Sequence, residues 1–207
     1  MWPSVTFIGK NCPSIISINS LMIRLLQKLV KPTSIFLGFT FFGAGMAKLY
    51  FEHRYFGWIG PVWLEERLEP YDLALYARFI AFSQIIIGYL LLTIRYRLLG
   101  AIMAVPLVLN ILMVTISQNW RGTPFVLSVL LLMVVFLLVM EGKRLLGIVG
   151  IHAIANFTEY TRKGTIIWGI GLVLNLISIY ISFFNVHIGW GISIIGLVIS
   201  WMSYRWD

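Results

Sequence analysis

Long apolar stretches separated by short polar connections dominate the pattern of this chain. Four of them run over 33–52, 73–94, 98–117 and 124–140, and two more form a pair within 165–207 with a turn near 185–187. At a rise of about 1.5 Å per residue, about twenty helical residues cross a hydrocarbon layer of about 30 Å. The pattern therefore predicts an all-α, polytopic transmembrane helical bundle with six spans.

Small and polar residues recur at helical spacing within these stretches. One face of 33–52 carries Gly38, Phe41, Phe42, Gly45, Lys48, Leu49 and Glu52, and one face of 73–94 carries Ala74, Ala77, Ala81, Gln84 and Gly88. The final pair carries one such stripe on each of its two helices. The first consists of Gly171, Asn175, Ser178, Ser182 and Asn185. The second consists of Gly189, Ser193, Gly196, Ser200 and Ser203. Small residues let membrane helices approach closely, so these faces predict helix–helix contacts. The alternative for the final pair is that its two stripes line a path for a ligand and do not pack against each other.

The third and fourth stretches differ in polarity. The third places Met103, Pro106, Asn110, Met113 and Ser117 on one face. A proline frees the carbonyl four residues before it, so Ile102 is expected to find a partner inside the bundle. The fourth stretch is almost uniformly Val, Leu, Phe and Met, which predicts the most lipid-exposed span.

Three connections have the character of surface helices. Residues 14–31 are amphipathic, which suits a helix lying on an anionic inner leaflet, and Pro32 is expected to end it. The alternative is an ordinary cytoplasmic leader that is simply helical. Residues 61–68 predict a short surface or re-entrant helix, and 145–163 predict a second in-plane helix.

Composition and charge place the chain in a membrane. The 207 residues are 59% apolar and 12% charged, and mean hydropathy is +0.90. The net charge of +8 does not indicate nucleic-acid binding, because the charges fall in connections between apolar stretches. Alternate connections hold eleven basic residues on one side and three on the other, so both termini are expected in the cytoplasm of a bacterial inner membrane.

The chain lacks the residues that several kinds of chemistry require. Cys12 is the single cysteine, which excludes an intramolecular disulfide and a CxxC redox pair. His53, His152 and His187 fall on different predicted sides, so no metal site is expected. No phosphate-binding loop, nucleophile elbow or dinucleotide motif is present.

The segment LGFTFFGAGMAKL (37–49), with its G-x-x-K ending at Gly45 and Lys48, resembles the first helix of the DoxX family of bacterial membrane proteins. Gly88 before an apolar run and a basic turn extends the resemblance, which covers roughly residues 33–144. It implies a four-helix unit at 33–144. Outside the resemblance, the residue pattern predicts an amphipathic leader at 1–32, an interfacial connector at 145–164 and a C-terminal two-helix hairpin at 165–207. Family members often carry a glutamate where this chain has Gln84. Some branches are associated with quinone-linked sulfur or thiol oxidation, so a quinone is the cofactor that the resemblance implies.

Five residues are the candidates for chemistry. Lys48, Glu52 and Arg78 are predicted to form an outer pocket at the ends of the first two spans, where a cation could bind a quinone oxygen or a small anion. Alternatively, Lys48 reaches the interface and pairs with Glu52. Gln84 and Asn110 are mid-membrane amides that serve either as interhelical contacts or, less commonly, as ligand contacts.

Two classes of function remain open from the sequence. One is a subunit of a membrane complex whose outer pocket handles a quinone or small redox substrate. The other is a non-catalytic assembly partner or a carrier of a small ligand. The expected partners are the lipid bilayer and other membrane subunits or further copies of the chain, and catalysis itself is left undecided.

Overall fold

The computed structural model describes residues 13–49, 64–148 and 160–206, and all regular elements in these ranges are helices. In chain order they are α1 (Pro13–Leu49), α2 (Leu64–Leu68), α3 (Ala74–Leu92), α4 (Arg97–Ser117), α5 (Thr123–Met140), α6 (Gly142–Ile148), α7 (Arg162–Phe184) and α8 (Val186–Met202), with 3₁₀ turns at Glu69–Tyr71 and Ser203–Trp206. Six helices of this described part, α1, α3, α4, α5, α7 and α8, are long and apolar enough to cross a membrane. The predicted all-α, six-span character is confirmed at this level.

Pro32 does not end a helix, which corrects the prediction of a separate in-plane helix before the first span. It lies inside α1, whose membrane-compatible part runs from Arg24 to Leu49. A proline removes one backbone hydrogen bond, here the one to the carbonyl of Lys28. Both residues are exposed, so the freed carbonyl lies where solvent or lipid headgroups can replace the lost bond. The helical turns before and after Pro32 therefore remain part of one continuous helix.

Helices α1 and α3 are antiparallel and pack with their backbones in close contact. A Cβ atom added to Gly38 would lie 2.9 Å from the carbonyl oxygen of Gly88, and one added to Gly45 would lie 2.6 Å from that of Ala81. The hydroxyl of Ser34 donates to the carbonyl of Leu91 across the same interface at 2.8 Å. The contact predicted from the small faces of these two stretches is confirmed.

The hairpin of α7 and α8 packs through the two predicted stripes. A Cβ atom on Gly196 would lie 2.8 Å from the carbonyl oxygen of Gly171. At mid-height Ser193 donates to Oδ1 of Asn175 at 2.7 Å. Asn185 is the exception, because it is exposed and instead accepts hydrogen bonds from the first backbone amides of α8. The stripes therefore act as a packing surface, filled by the neighbouring helix.

The pair α1–α3 lies between the other helices. On one side its apolar residues join those of α4 and α5 in one buried cluster, and on the other side they meet Ile179 of α7 in a second cluster. The hairpin is held further by hydrogen bonds from Trp201 to the carbonyl of Leu92 at 3.1 Å and from Tyr204 to the carbonyl of Thr93 at 2.8 Å. The division into domains stays a prediction.

The remaining helices give mixed outcomes. Only 22% of α5 is buried, against 28% to 61% of the apolar windows of the other five membrane-length helices, so α5 is the most exposed of them, as predicted. The predicted polar face of α4 is present, but it is exposed. Its residues are Met103, Pro106, Asn110, Met113 and Ser117. A partner for the carbonyl of Ile102, which Pro106 frees, stays a prediction. The short helix predicted at 61–68 is seen over Leu64–Leu68 as α2, and 61–63 lie outside the described residues. The in-plane helix predicted at 145–163 falls mainly on residues outside the described ranges.

Candidate functional site

Lys48 lies within the interface of α1 and α3, near the end of the bundle that holds α2. Its side chain is 3% exposed. The ammonium Nζ donates to Oε1 of Gln84 at 2.7 Å and to the carbonyl of Ala44 at 3.3 Å. The small residues Gly45 and Ala81 bring the two backbones close enough for this bond to form. The ammonium is thus directed inward, which differs from the alternative that placed it at the membrane surface.

Arg78 has a different environment from Lys48. It is in the first turns of α3 with its side chain 61% exposed, and its Nε donates to Oε1 of Glu65 in α2 at 2.8 Å. The carboxylate of Glu65 is only 13% exposed, so α2 holds it against α3. Leu64 and Leu68 anchor α2 by burying their side chains beneath it. An arginine has five N–H donors, and this geometry occupies one of them.

A cleft of about 780 Å³ opens beside this ion pair. Its wall is formed by the end of α1, by α2, by α3 and by one side of α7; the lining residues are Leu49, Glu65, Arg78, Phe82, Leu176, Ile179, Tyr180 and Phe183. We call it the outer cleft, after the orientation that the basic residues predict. The wall is apolar and aromatic except for the ion pair at its rim and the hydroxyl of Tyr180. Such a site suits a largely apolar molecule that carries a small number of hydrogen-bond acceptors.

The structure separates the residues that the sequence pattern grouped. Arg78 lines the outer cleft, whereas Lys48 is adjacent in sequence to the lining residue Leu49 but is turned into the α1–α3 interface. Glu52, the third member of the predicted pocket, lies outside the described residues. Gln84 is buried against Lys48. Asn110 is on the exposed face of α4, with no hydrogen bond from its side chain to another described residue.

The contribution of α7 to the outer cleft was not predicted. The cleft residues of the hairpin, outside the four-helix unit predicted at 33–144, are Leu176, Ile179, Tyr180 and Phe183. They recur at spacings of three and four, which places them on one face of α7. That spacing is visible in the sequence, but nothing local shows that this face turns toward α3. Within the described residues no group of three or more His, Cys, Asp or Glu side chains could hold a metal ion.

Comparison with known proteins gives no relative from which a role can be transferred: no family model matches this chain, and neither a curated protein nor a solved structure matches it.

Proposed function

We propose that this chain is a DoxX-like integral membrane subunit that holds a quinone, or a similar small redox molecule, in the outer cleft. The observation that carries the proposal is the composition of that cleft: an apolar, aromatic wall with one arginine at its rim. The guanidinium keeps donors for a carbonyl oxygen beyond the one given to Glu65. None of the described lining residues is a cysteine or holds a cofactor in the proposal, so electrons would pass between the bound molecule and a partner.

The position of the outer cleft supports access from the bilayer. Phe82, Tyr180 and Phe183 are exposed on helices that are long and apolar enough to cross a membrane. A ligand can enter sideways from the membrane and bury its ring against these side chains. Its polar oxygens would then lie at the depth of Arg78, where the apolar span ends. This arrangement resembles the usual balance of a ligand site, in which most surface is apolar and a few polar groups fix orientation.

The exposed amide of Asn110 supports the proposal that the chain works within a larger assembly. Near the middle of α4, a polar side chain facing hydrocarbon without a partner carries a free-energy cost. A helix from another subunit or from a second copy would supply that partner. We further propose that the assembly lies in a bacterial cytoplasmic membrane with both chain termini in the cytoplasm, as the distribution of basic residues indicates.

The decisive experiment measures lipid-soluble cofactors bound to the purified protein. The full chain is extracted in mild detergent, and quinone is quantified by chromatography after organic extraction, per mole of protein. We expect near-stoichiometric quinone with the native chain. Replacing Arg78 by Gln should reduce retention by about tenfold or more, because a charge-assisted hydrogen bond contributes about 1.5–3 kcal/mol.

A matched pair of substitutions tests the cleft itself. Leu176→Trp fills the outer cleft, whereas Ile177→Trp adds the same ring at the next position of α7, which does not line it. Both native side chains are 44% exposed, so the two variants place similar demands on folding. We expect quinone loss in the first and retention in the second. Equal retention in both variants, or a native chain with no more quinone than the surrounding lipid, would contradict the proposal and favour an assembly partner without a ligand.

A further inference from the structure

One face of α4 is exposed from the first turn of the helix to the last. Its residues follow one another in alternating steps of four and three. They are Leu99, Met103, Pro106, Asn110, Met113 and Ser117. We call this surface the α4 seam. Between its first and last residue the helix rises by about 27 Å, which is close to the thickness of the hydrocarbon layer.

The spacing of the α4 seam is that of a helix in a coiled coil. A repeat of 3.5 residues keeps one face turned toward a partner helix along its whole length, because the two helices wind around each other. In the heptad notation abcdefg, Asn110 is at a central a position, with Met103 and Ser117 at the a positions before and after it. Transmembrane helices use the same packing, with crossing angles of about 20°.

The opposite face of α4 is already filled by this chain. Ala101, Ala104, Val108 and Ile111 are buried in the cluster that α4 shares with α1, α3 and α5. The helix is therefore fixed in its rotation, and the α4 seam is the face that is left for a helix from another molecule.

Asn110 distinguishes this face from one that simply contacts lipid. Its amide is exposed and makes no hydrogen bond to another described residue. Such a group loses free energy in hydrocarbon, where no water replaces the missing partner. The neighbouring span shows what a lipid-facing surface looks like in this chain, since its large exposed residues are all apolar. In α5 these are Phe125, Val129, Leu132, Val135 and Val139.

The amide of Asn110 is complementary to a second copy of itself. A primary amide carries both donors and an acceptor, so two of them can satisfy each other. Among the described residues, no other side-chain amide is exposed in the middle turns of a membrane-length helix. A head-to-tail contact with another face of the same chain would therefore leave the amide without an equivalent partner.

The bilayer fixes the symmetry of such a pair. Two copies with the same topology can be related only by a two-fold axis along the membrane normal, so their α4 helices run parallel and equal depths meet. Asn110 then lies opposite Asn110 of the second copy. An asparagine at an a position is the residue that sets register and favours two strands in parallel coiled coils.

This pairing leaves the outer cleft open. The residues of α4 and α5 meet the α1–α3 pair on one side, whereas Ile179 of α7 meets it on the other. Contact through α4 therefore covers the side of the bundle that is remote from the hairpin, and each copy keeps its own cleft.

We propose that the chain forms a two-fold symmetric dimer in the membrane, in which the α4 helices pack in parallel along the α4 seam and the two Asn110 amides bond to each other. The inference rests on the part of the proposed function that places the chain in a membrane assembly, and it names the partner as a second copy. It does not depend on what the outer cleft binds.

Oxidative cross-linking of single cysteines in native membranes tests the seam, in a Cys12→Ser background. Across the two-fold axis, seam positions come within the Cα distance of about 4.4–6.8 Å that a disulfide requires. Met103→Cys and Met113→Cys should therefore give a covalent dimer with copper phenanthroline. The controls on the exposed face of α5, Val135→Cys and Leu132→Cys, should stay monomeric. Exposure is matched, at 37% and 42% for Met103 and Val135, and at 61% and 69% for Met113 and Leu132.

Equal cross-linking on α4 and α5, or none on α4, would overturn the proposal.

The role of Asn110 is tested by the strength of dimerisation. The native chain in mild detergent should have twice the chain mass of 23.7 kDa by light scattering. Energy transfer between two differently labelled copies, diluted in lipid vesicles, then gives the dimer Kd. Asn110→Leu should raise this Kd by about three- to thirtyfold, the effect of one interhelical hydrogen bond. Asn110→Gln keeps an amide and should stay closer to the native value.

A native chain that remains monomeric, or an Asn110→Leu variant that dimerises as tightly as the native chain, would contradict the proposal. A monomeric chain that retains a different membrane protein through Asn110 would equally exclude the second copy as partner. Quinone measured in the same samples keeps the two proposals apart. A dimer without quinone contradicts only the proposed ligand, whereas a monomer with quinone contradicts only the dimer.

Discussion

Lys48 and Gln84 show how a buried cation is accommodated in this chain. The ammonium has no carboxylate partner among the described residues, and its donors go to an amide oxygen and a backbone carbonyl. These acceptors are neutral, so they stabilise the charge only by their dipoles. An ammonium buried among neutral groups is costly, and the cost rises steeply if an acceptor is removed.

Substitutions at these two positions should therefore be strongly coupled. Gln84→Leu leaves a buried ammonium without its side-chain acceptor and is expected to be the most damaging, by about 3–5 kcal/mol. Lys48→Met leaves only a neutral amide unpaired, at about 1–3 kcal/mol. The double variant should be more stable than Gln84→Leu alone. Thermal or denaturant unfolding in detergent measures all three, and additive effects would show that the pair does not interact.

Close backbone contact between α1 and α3 depends on glycine at particular positions. A Cβ atom on Gly88 would lie 2.8 Å from both the carbonyl oxygen of Gly38 and the Cα of Phe42. Backbone atoms cannot move aside as side chains do, so any larger residue must push the helices apart. This contact also sets the position of Lys48 and Gln84, since both lie in the same interface.

Gly88→Ala is accordingly expected to destabilise the protein by about 1–3 kcal/mol, as overpacked interiors do. Gly169→Ala in α7 is the control, because a Cβ atom there meets nothing within 4 Å. In the control the better helix propensity of alanine should leave stability unchanged or slightly raised. Similar unfolding midpoints for the two variants would show that α1 and α3 can separate without cost.

The orientation of the whole bundle can be tested with single cysteines in a Cys12→Ser background. Glu66 and Lys163 are both exposed and belong to opposite ends of the bundle. With both termini in the cytoplasm, Glu66→Cys should react with a membrane-impermeant maleimide added to intact cells, and Lys163→Cys should react only after lysis. The reverse pattern of labelling would invert the proposed topology.

Assembly can be tested through the exposed face of α4. If Asn110 contacts a neighbouring subunit, Asn110→Leu removes an interhelical hydrogen bond that typically contributes about 0.6–2 kcal/mol. We expect the variant to lose copies or partners that the native chain retains, as seen by light scattering and by co-purification. Leu109→Ala, at the next exposed position, should keep them. An unchanged assembly in Asn110→Leu would mean that this amide faces lipid.

The six spans and the packing faces follow from residue order alone. Hydrocarbon requires about twenty apolar residues per helix, and small residues every three or four positions create a surface that only another helix can fill. The spacing of Gly38, Gly45 and Gly88 therefore predicts helix–helix contacts, whereas for Gly196 a ligand path stayed open until the contact with Gly171 was seen. The continuation of α1 through Pro32 does not follow in this way, because a proline breaks or merely interrupts a helix according to the surroundings of one freed carbonyl.

The partners of individual side chains depend on how the helices rotate and which ones meet. Lys48 and Arg78 have similar positions in the sequence pattern, yet one is directed at Gln84 and the other at Glu65. The outer cleft needs α7 beside α3, and the ion pair of Arg97 needs Glu141, 44 residues away in the chain. Periodicity fixes which residues share a face, since that depends on backbone geometry within one helix. It does not fix which face of a distant helix lies opposite, because that is set by the packing of the complete bundle.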